Sequence, residues 1–272
     1  MRIRTYILFA KKALKNIVKT VSNKPIFAHL RGLVASFILT QESKKLRSLE
    51  ELIDFAYRFK VLGVKIRPMQ VPWEIRQLLQ IIEEAKIEIM LEIGTANGGT
   101  LFLFNQVADP RAMIISMDLP GGPFGGGYPS WKSIIYKRFK KRGQRLYLIR
   151  GDVHNQQTLD NVKSILNGET LGFLFVDGDH TYEGVKMDFE MYAPLMKDGG
   201  IIALHDIVPG PAERVGGVPR FWKEIKTKYV NLEIVKNQNQ GGCGIGIIFW
   251  KSARKMGEDT QKLERSKELN KK

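Results

Sequence analysis

Cysteine is almost missing from this chain: Cys243 is the only one in 272 residues. A single thiol excludes an intramolecular disulfide framework and fits a reducing compartment. Long apolar runs are missing as well. Ile26–Thr40 is moderately apolar, but it carries His29 and Arg31 and is too short to cross a bilayer. No secretory signal is expected, because Tyr6–Ala10 is a short apolar core and Lys11-Lys12 interrupts it. These absences point to a cytoplasmic location, and the 43% hydrophobic content suits an ordinary soluble core. The length allows one large α/β domain plus an appendage.

Acid is scarce at the N-terminus. Residues 1–49 hold eleven Lys/Arg against Glu42 alone, which supplies +10 of the net +15. Lys132 to Arg145 is a second basic run, with seven Lys/Arg and no acid. Such runs suit anionic lipid, nucleic acid or acidic substrates, or simply a solvated face. No recognisable nucleic-acid module accompanies the charge. Ile3, Tyr6, Ile7, Ala10, Leu14, Ile17, Val18 and Val21 recur at helical spacing, with Arg4, Lys11, Lys12, Lys15 and Lys19 opposite. Two readings fit this amphipathic stretch. It lies on the inner face of a membrane through residues 1–24, or it packs on its own domain or a partner subunit, as in a homo-oligomer.

Two nucleotide signatures are also absent. The glycine-rich stretch Gly121–Pro129 lacks the Lys-Ser/Thr of a phosphate loop. It reads as a flap carrying Phe124 and Tyr128, or as a plain connector. Ile89–Gly99 turns from strand to helix with Glu-x-Gly-x-x-x-Gly spacing, not the Gly-x-Gly-x-x-Gly of dinucleotide folds. Gly94 and Gly98 allow close approach of the backbone and positive φ. A carboxylate at Glu92 is a poor neighbour for phosphate and a good one for an ammonium or ribose hydroxyls. That chemistry points to S-adenosylmethionine rather than a nicotinamide.

What is present is an alternation of apolar runs and helical patterns. A helix over Ser48–Phe59 and another over Trp73–Glu84 lead into strands at Lys86–Ile93, Ala112–Met117, Arg145–Ile149, Leu171–Val176 and Gly200–Leu204. Helices are expected at Thr100–Val107, Ser130–Lys141, Thr158–Leu166 and Tyr182–Met196. Leu232–Val235 and Gly244–Trp250 close the series as a hairpin. The expected fold is α/β: a doubly wound, seven-stranded, mostly parallel sheet, Rossmann-like, with an N-terminal helical extension. Residues 1–67 form the basic extension, 68–250 the α/β domain and 251–272 a charged tail.

Ligands in such sheets bind beyond the carboxyl ends of the strands. Here those ends carry Glu92, Asp118, Asp152, Asp177 and His205-Asp206. Asp118 would accept ribose hydroxyls and Asp152 would sit near an adenine; each could instead cap a turn. Asp177 and Asp206 end adjacent strands, so two acids and the His205 imidazole can converge. Magnesium or manganese would relieve their repulsion, with Asp177, His205 and Asp206 as ligands. Asp179, or else His180, would then deprotonate a hydroxyl. The metal-free alternative has Asp179 capping the following helix and His205 packed neutral. Tyr128, Trp131 and Trp222 suit an acceptor cleft or core packing equally well.

Leu91-Glu-Ile-Gly-Thr with Gly98-Gly-Thr, Val176-Asp-Gly-Asp-His-Thr-Tyr-Glu-Gly-Val, Asp198-Gly-Gly-Ile-Ile-Ala-Leu-His-Asp and Gly217-Val-Pro-Arg-Phe-Trp resemble the class I S-adenosylmethionine-dependent methyltransferases. More narrowly, they look like the group that includes macrocin-type O-methyltransferases and cephalosporin hydroxylase-like proteins. The resemblance runs from about Pro68 to Trp250. It implies S-adenosylmethionine held by Glu92, Gly94, Gly98 and Asp118, and Thr95 in the same turn is a further cofactor-binding candidate. It also implies magnesium at the positions of Asp177, His205 and Asp206, and a base at Asp179. His205 departs from the pattern, since metal-dependent relatives carry an acid there. The implied activity is O-methylation of a sugar or other small polyol, lipid-linked in one version. The rivals are an oxidoreductase on the same scaffold and a membrane-associated protein that keeps the pocket without chemistry.

Overall fold

The computed structural model describes residues 25–121 and 126–251. The amphipathic stretch at 1–24, Phe124 and the tail from 252 lie outside the described residues. Helices α1 (Pro25–Ser43) and α2 (Leu49–Arg58) come first, followed by a two-stranded hairpin of β1 (Lys60–Val61) and β2 (Val64–Lys65). Ser48 caps α2 through a reciprocal pair with Glu51. The small hairpin was not expected from periodicity, because its strands are two residues each. Its turn, Leu62-Gly63, takes positive φ at both positions, as a tight hairpin requires.

Helix α3 (Pro72–Glu84) leads into β3 (Ile89–Ile93), α4 (Gly99–Val107), β4 (Met113–Asp118), a 3-10 turn at Ser130–Lys132 with α5 (Ser133–Tyr136), and β5 (Arg145–Arg150). Then come α6 (Gln156–Leu166), β6 (Leu171–Val176), α7 (Tyr182–Tyr192), β7 (Met196–His205), α8 (Ala212–Val215), α9 (Val218–Ile225), β8 (Val230–Ile234) and β9 (Ile245–Phe249). The seven-stranded sheet has the order β5-β4-β3-β6-β7-β9-β8. The first five strands in that order are parallel, and β9 runs antiparallel to both β7 and β8. The expected doubly wound, mostly parallel sheet with a hairpin at one edge is what forms.

Three boundaries differ from the periodicity. The helix expected at Ser130–Lys141 stops at Tyr136, because Phe139 leaves the helical path to enter the core, where it is 1% exposed. The basic run that follows is not merely solvated: Lys141 reaches back to the carbonyls of Gln106 and Ala108 at the end of α4. A cation there meets the negative end of the helix dipole. The helix expected to reach Met196 ends at Tyr192, since Pro194 cannot supply a helical N–H, and Met196 already belongs to β7. The first large strand begins at Ile89, because Lys86 sits at φ +48 in a turn.

Alternation along each strand sorts side chains onto two faces. Phe173 and Phe175 join Phe102, Phe104, Leu78 and Ile75 on one face of the sheet. Leu174 and Val176 join Leu91, Ile115, Val185, Phe189 and Trp222 on the other. Helices α1 and α2 belong to the first core through Ala35, Leu39, Ile53 and Ala56, and Phe55 lies 5.5 Å from Phe102 ring to ring. Trp222 and Tyr128 are buried in packing, Trp222 against Gly246 and Tyr128 against Tyr136. For these two aromatic residues the core reading holds.

Candidate active site at the strand ends

The five parallel strands point their carboxyl ends at one cavity of about 310 Å³. Gly94, Asp118, Asp152, Asp177, Asp179, His180, His205 and Asp206 all stand on its wall. Parallel pairing forces this convergence, because it aligns every strand end on the same rim. Three expected residues, Glu92, Thr95 and Gly98, are not among the lining groups.

The turn after β3 is built from glycine geometry. Gly94 has φ +94, and a Cβ there would sit 1.9 Å from the Asp177 carbonyl oxygen. Gly98 has φ +78 at the start of α4, where a Cβ would strike the Tyr136 ring at 2.5 Å. Asp118 then staples the turn in place. Its Oδ2 accepts the Ala96 N–H at 2.6 Å, and its Oδ1 accepts those of Leu119 and Gly127 at 2.7 and 2.9 Å. Burial raises its pKa, and those backbone donors partly offset the rise.

Glu92 works beneath the turn. As the neighbour of Leu91 and Ile93 it points to the opposite face, toward α4. Its carboxylate accepts the Thr100 hydroxyl at 2.5 Å and the Ser116 hydroxyl at 2.5 Å. Thr95 joins this network through Ser116, at 2.6 Å between hydroxyls. Burial pushes the Glu92 carboxyl up to about 8, against the opposing effect of the two hydroxyl bonds. The folded state therefore keeps a proton that the unfolded chain loses near the ordinary carboxyl value of 4.5. Stability from this group is present at acid pH and is lost as pH rises toward 8. Glu92→Gln, which is neutral at every pH, should gain stability relative to the natural protein across that interval. The gain approaches about 1.4 kcal/mol per pH unit. Urea denaturation of both proteins at several pH values checks this; a difference independent of pH would contradict it.

The densest cluster lies at the ends of β6 and β7. His205 Nδ1 is 3.0 Å from Asp177 Oδ1 and 3.5 Å from Asp206 Oδ2. His180 Nε2 is 3.5 Å from Asp177 Oδ1, its Nδ1 is 3.5 Å from Asp206 Oδ2, and its Nδ1 also meets the Arg214 carbonyl. Burial opposes charge on Asp177, but the His205 charge and the His180 contact outweigh it and hold the carboxyl down at about 2. Burial likewise opposes charge on His180, yet Asp177 and Asp206 raise it to about 9. His205 is raised well above its ordinary value by the same carboxylates, despite its burial.

This geometry also tests a cation site. Asp177, His180 and Asp206 offer ligand atoms within 4.8 Å of one another, and so do His205, Asp206 and Cys243. His205 Nε2 is buried without a hydrogen-bond partner, as a ligand atom awaiting a cation would be. The donor set fits a divalent ion with some nitrogen preference. His180, expected as a base, stands inside the cluster itself.

The two outlying acids have plainer roles in the backbone. Asp152 accepts the His154 N–H at 2.9 Å, and Asp179 accepts the Thr181 N–H at 2.8 Å. The cap of α7 is Thr181, which accepts the Gly184 N–H, rather than Asp179.

Four residues that sequence reasoning missed complete the site. Gln70, delivered by the segment before α3, donates its side-chain amide to Asp177 Oδ2 at 2.8 Å and accepts the Tyr57 hydroxyl on its backbone carbonyl. His154 lines the cavity and meets Asp188 Oδ1 at 2.9 Å. Asp188 shares the buried face of α7 with Val185, Phe189 and Tyr192, and an acid within such a stripe was a signal that could have found it. Glu74 is fully buried and binds the N–H groups of Lys236 and Gly244. It anchors the loop from which Cys243 N–H reaches Asp206 Oδ1 at 2.8 Å.

Residues 91–207 match the family model described as a methyltransferase domain. A curated relative, the uncharacterized protein y4gI of Sinorhizobium fredii (strain NBRC 101917 / NGR234), is 25% identical over 164 residues. That match covers 59% of this chain, and the chain spans about 17% of the length of that relative. Among solved structures, a proposed O-methyltransferase from Klebsiella pneumoniae superposes with a TM-score of 0.52 at 14% identity, over 82% of this chain and 98% of its own. An O-methyltransferase from Bacillus cereus with bound SAH superposes at 0.50 and 17% identity, over 82% and 100%. With the strand order and the glycine turn, these likenesses show that the chain shares the fold of those solved O-methyltransferases and that its residues 91–207 are similar to a methyltransferase domain.

Proposed function

We propose that this protein transfers a methyl group from S-adenosylmethionine to a hydroxyl oxygen of a small polar acceptor, a sugar or other polyol. The observation that carries this reading is the shared cavity, with the glycine turn and Asp118 at the β3–β4 ends and an acid–imidazole cluster at the β6–β7 ends. S-adenosylmethionine supplies an electrophilic methyl on a sulfonium centre. Gly94 borders the cavity in a turn that closes only because its missing side chain makes way for the Asp177 carbonyl, and Asp118 accepts the ribose hydroxyls. A ribose hydroxyl replaces the Gly127 N–H, the one Asp118 bond from the flank of the glycine-rich loop. Asp152 and His154 border the adenine end.

Asp177, His180, His205 and Asp206 orient the acceptor, and they are the residues that would hold a divalent cation. Such a cation lowers the pKa of a nearby hydroxyl when bound. His180 is engaged with both carboxylates, which leaves Asp179 on the cavity wall to take the acceptor proton. Most of the rate then comes from holding oxygen, carbon and sulfur in line.

Titration calorimetry with S-adenosylhomocysteine, with and without magnesium or manganese, tests the cofactor and the cation together. Binding that strengthens with a cation supports both assignments, and no binding in any arm rejects the cofactor. Asp179→Ala should lower turnover by about 10²-fold or more while cofactor affinity stays nearly unchanged. Full activity in that variant would reject Asp179 as the base.

A further inference from the structure

Helix α1 is apolar on two sides. Ala35, Ser36 and Leu39 face inward and are buried. On its outer side Leu30, Leu33, Val34 and Phe37 are 53%, 52%, 37% and 66% exposed. Their spacing of three, four and seven places them on one continuous stripe. Scattered exposed apolar residues are ordinary, but four contiguous ones on one helix mark a docking face. No helix among the described residues is long and apolar enough to cross a membrane, so the stripe is not part of a span read from these helices.

Charge says what that is. Residues 1–41 contain eight Lys/Arg and no Asp or Glu. Seven of the eight fall within residues 1–24, directly ahead of the stripe. The inner side of α1 packs on the turn that opens the second basic run, where Gly32 abuts Trp131 and Arg31 lies over the Trp131 ring. One acid-free basic run therefore precedes this helix in sequence, and the other opens where its inner side packs. A protein partner suited to such a face would need an acidic rim around an apolar centre. An anionic bilayer offers both everywhere, through its headgroups and acyl chains, and apolar insertion and electrostatic attraction add.

We infer that the Leu30–Phe37 stripe seats this protein on an anionic lipid surface. The acyl boundary takes Leu33 and Phe37, and the net positive charge of this end of the sequence favours anionic headgroups. This assignment is independent of the methyl-transfer reading, because none of these residues touches the cavity.

The test uses the full chain and vesicles of phosphatidylcholine alone or with added phosphatidylglycerol. Sedimentation should capture the protein on the anionic vesicles, leave it free with the neutral ones, and weaken at high salt. The double variant Leu33→Glu with Phe37→Glu should bind at least tenfold more weakly. Both side chains point outward, so its thermal midpoint and S-adenosylhomocysteine affinity should match the natural protein. Undiminished vesicle binding by the double variant would overturn the role of the stripe. Absence of binding to anionic vesicles would overturn the whole inference. So would a dimer that the double variant dissociates while vesicles capture neither form, since the stripe would then join two copies of this chain.

Discussion

Gly94→Ala should yield a protein that no longer binds S-adenosylhomocysteine measurably. The backbone at φ +94 costs an L-residue about 1–2 kcal/mol by itself. The larger effect is steric. The new methyl would lie 1.9 Å from the Asp177 carbonyl oxygen and 2.6 Å from its carbon, both backbone atoms that cannot rotate away. Relief requires β3 and β6 to part at their ends, which opens the turn and displaces Asp177 together. Calorimetry should show affinity reduced by about 10²-fold or more, equivalent to about 3 kcal/mol, with a lower thermal midpoint. Gly63→Ala separates the two causes. Gly63 has φ +81 but nothing within 4 Å of the added carbon, so that variant should lose a little stability and keep its affinity. Tight binding by Gly94→Ala would mean that the β3 turn does not receive the cofactor.

Asp177→Asn should be the most damaging single change to turnover. The substitution keeps the shape and removes the charge that faces two imidazoles. The Asp177 carboxylate accepts from His205 on Oδ1 and from Gln70 on Oδ2. An amide in its place must turn its own donors toward one of these donors. Removing one partner from a buried charged cluster costs about 3–5 kcal/mol, so stability falls as well as activity. We expect turnover lower by about 10³-fold, with cofactor affinity changed far less, since Asp118 and Gly94 are untouched.

The pH dependence gives a second readout that mere instability would not. Without added metal, His180 is raised to about 9 in the folded protein from the ordinary imidazole value of 6.5. That stabilisation is full below the lower value and disappears as pH rises through the upper one. In Asp177→Asn the imidazole should titrate nearer its ordinary value, and the loss of stability between them should flatten. Histidine NMR titration measures this directly. An unchanged titration would show that Asp206 alone holds the imidazoles charged. Gln70→Ala, which removes one donor and no charge, should lower turnover by a smaller factor.

Much of the fold was legible in the order of residues. The apolar run Leu171–Val176 becomes a strand with the expected limits, because six buried residues bounded by turn formers leave no other element. Strands ending at Ile93, Asp118 and His205 were likewise readable within a few residues, as was the hairpin of β8 and β9. The acids on the rim followed from parallel topology alone. Glu92 did not, although period-two alternation with Leu91 and Ile93 already turned it away from the β3 end. The helix after Ser130 was overread because its basic spacing suited a helix, while the decisive event was Phe139 entering a core formed by distant residues.

The chain by itself therefore determined the order of elements, the parallel sheet and the rim on which the acids gather. Those depend on local periodicity and on the handedness of crossovers, both carried by short stretches of sequence. Only the tertiary structure decided that Gln70 reaches Asp177 across 107 positions and that Glu74 holds the loop behind Asp206. It alone paired His154 with Asp188, and drew His180 in among the two carboxylates. Contacts of this kind obey no repeat, since they arise where separate elements happen to meet, and hydrogen-bond reach is set by packing rather than by spacing along the chain.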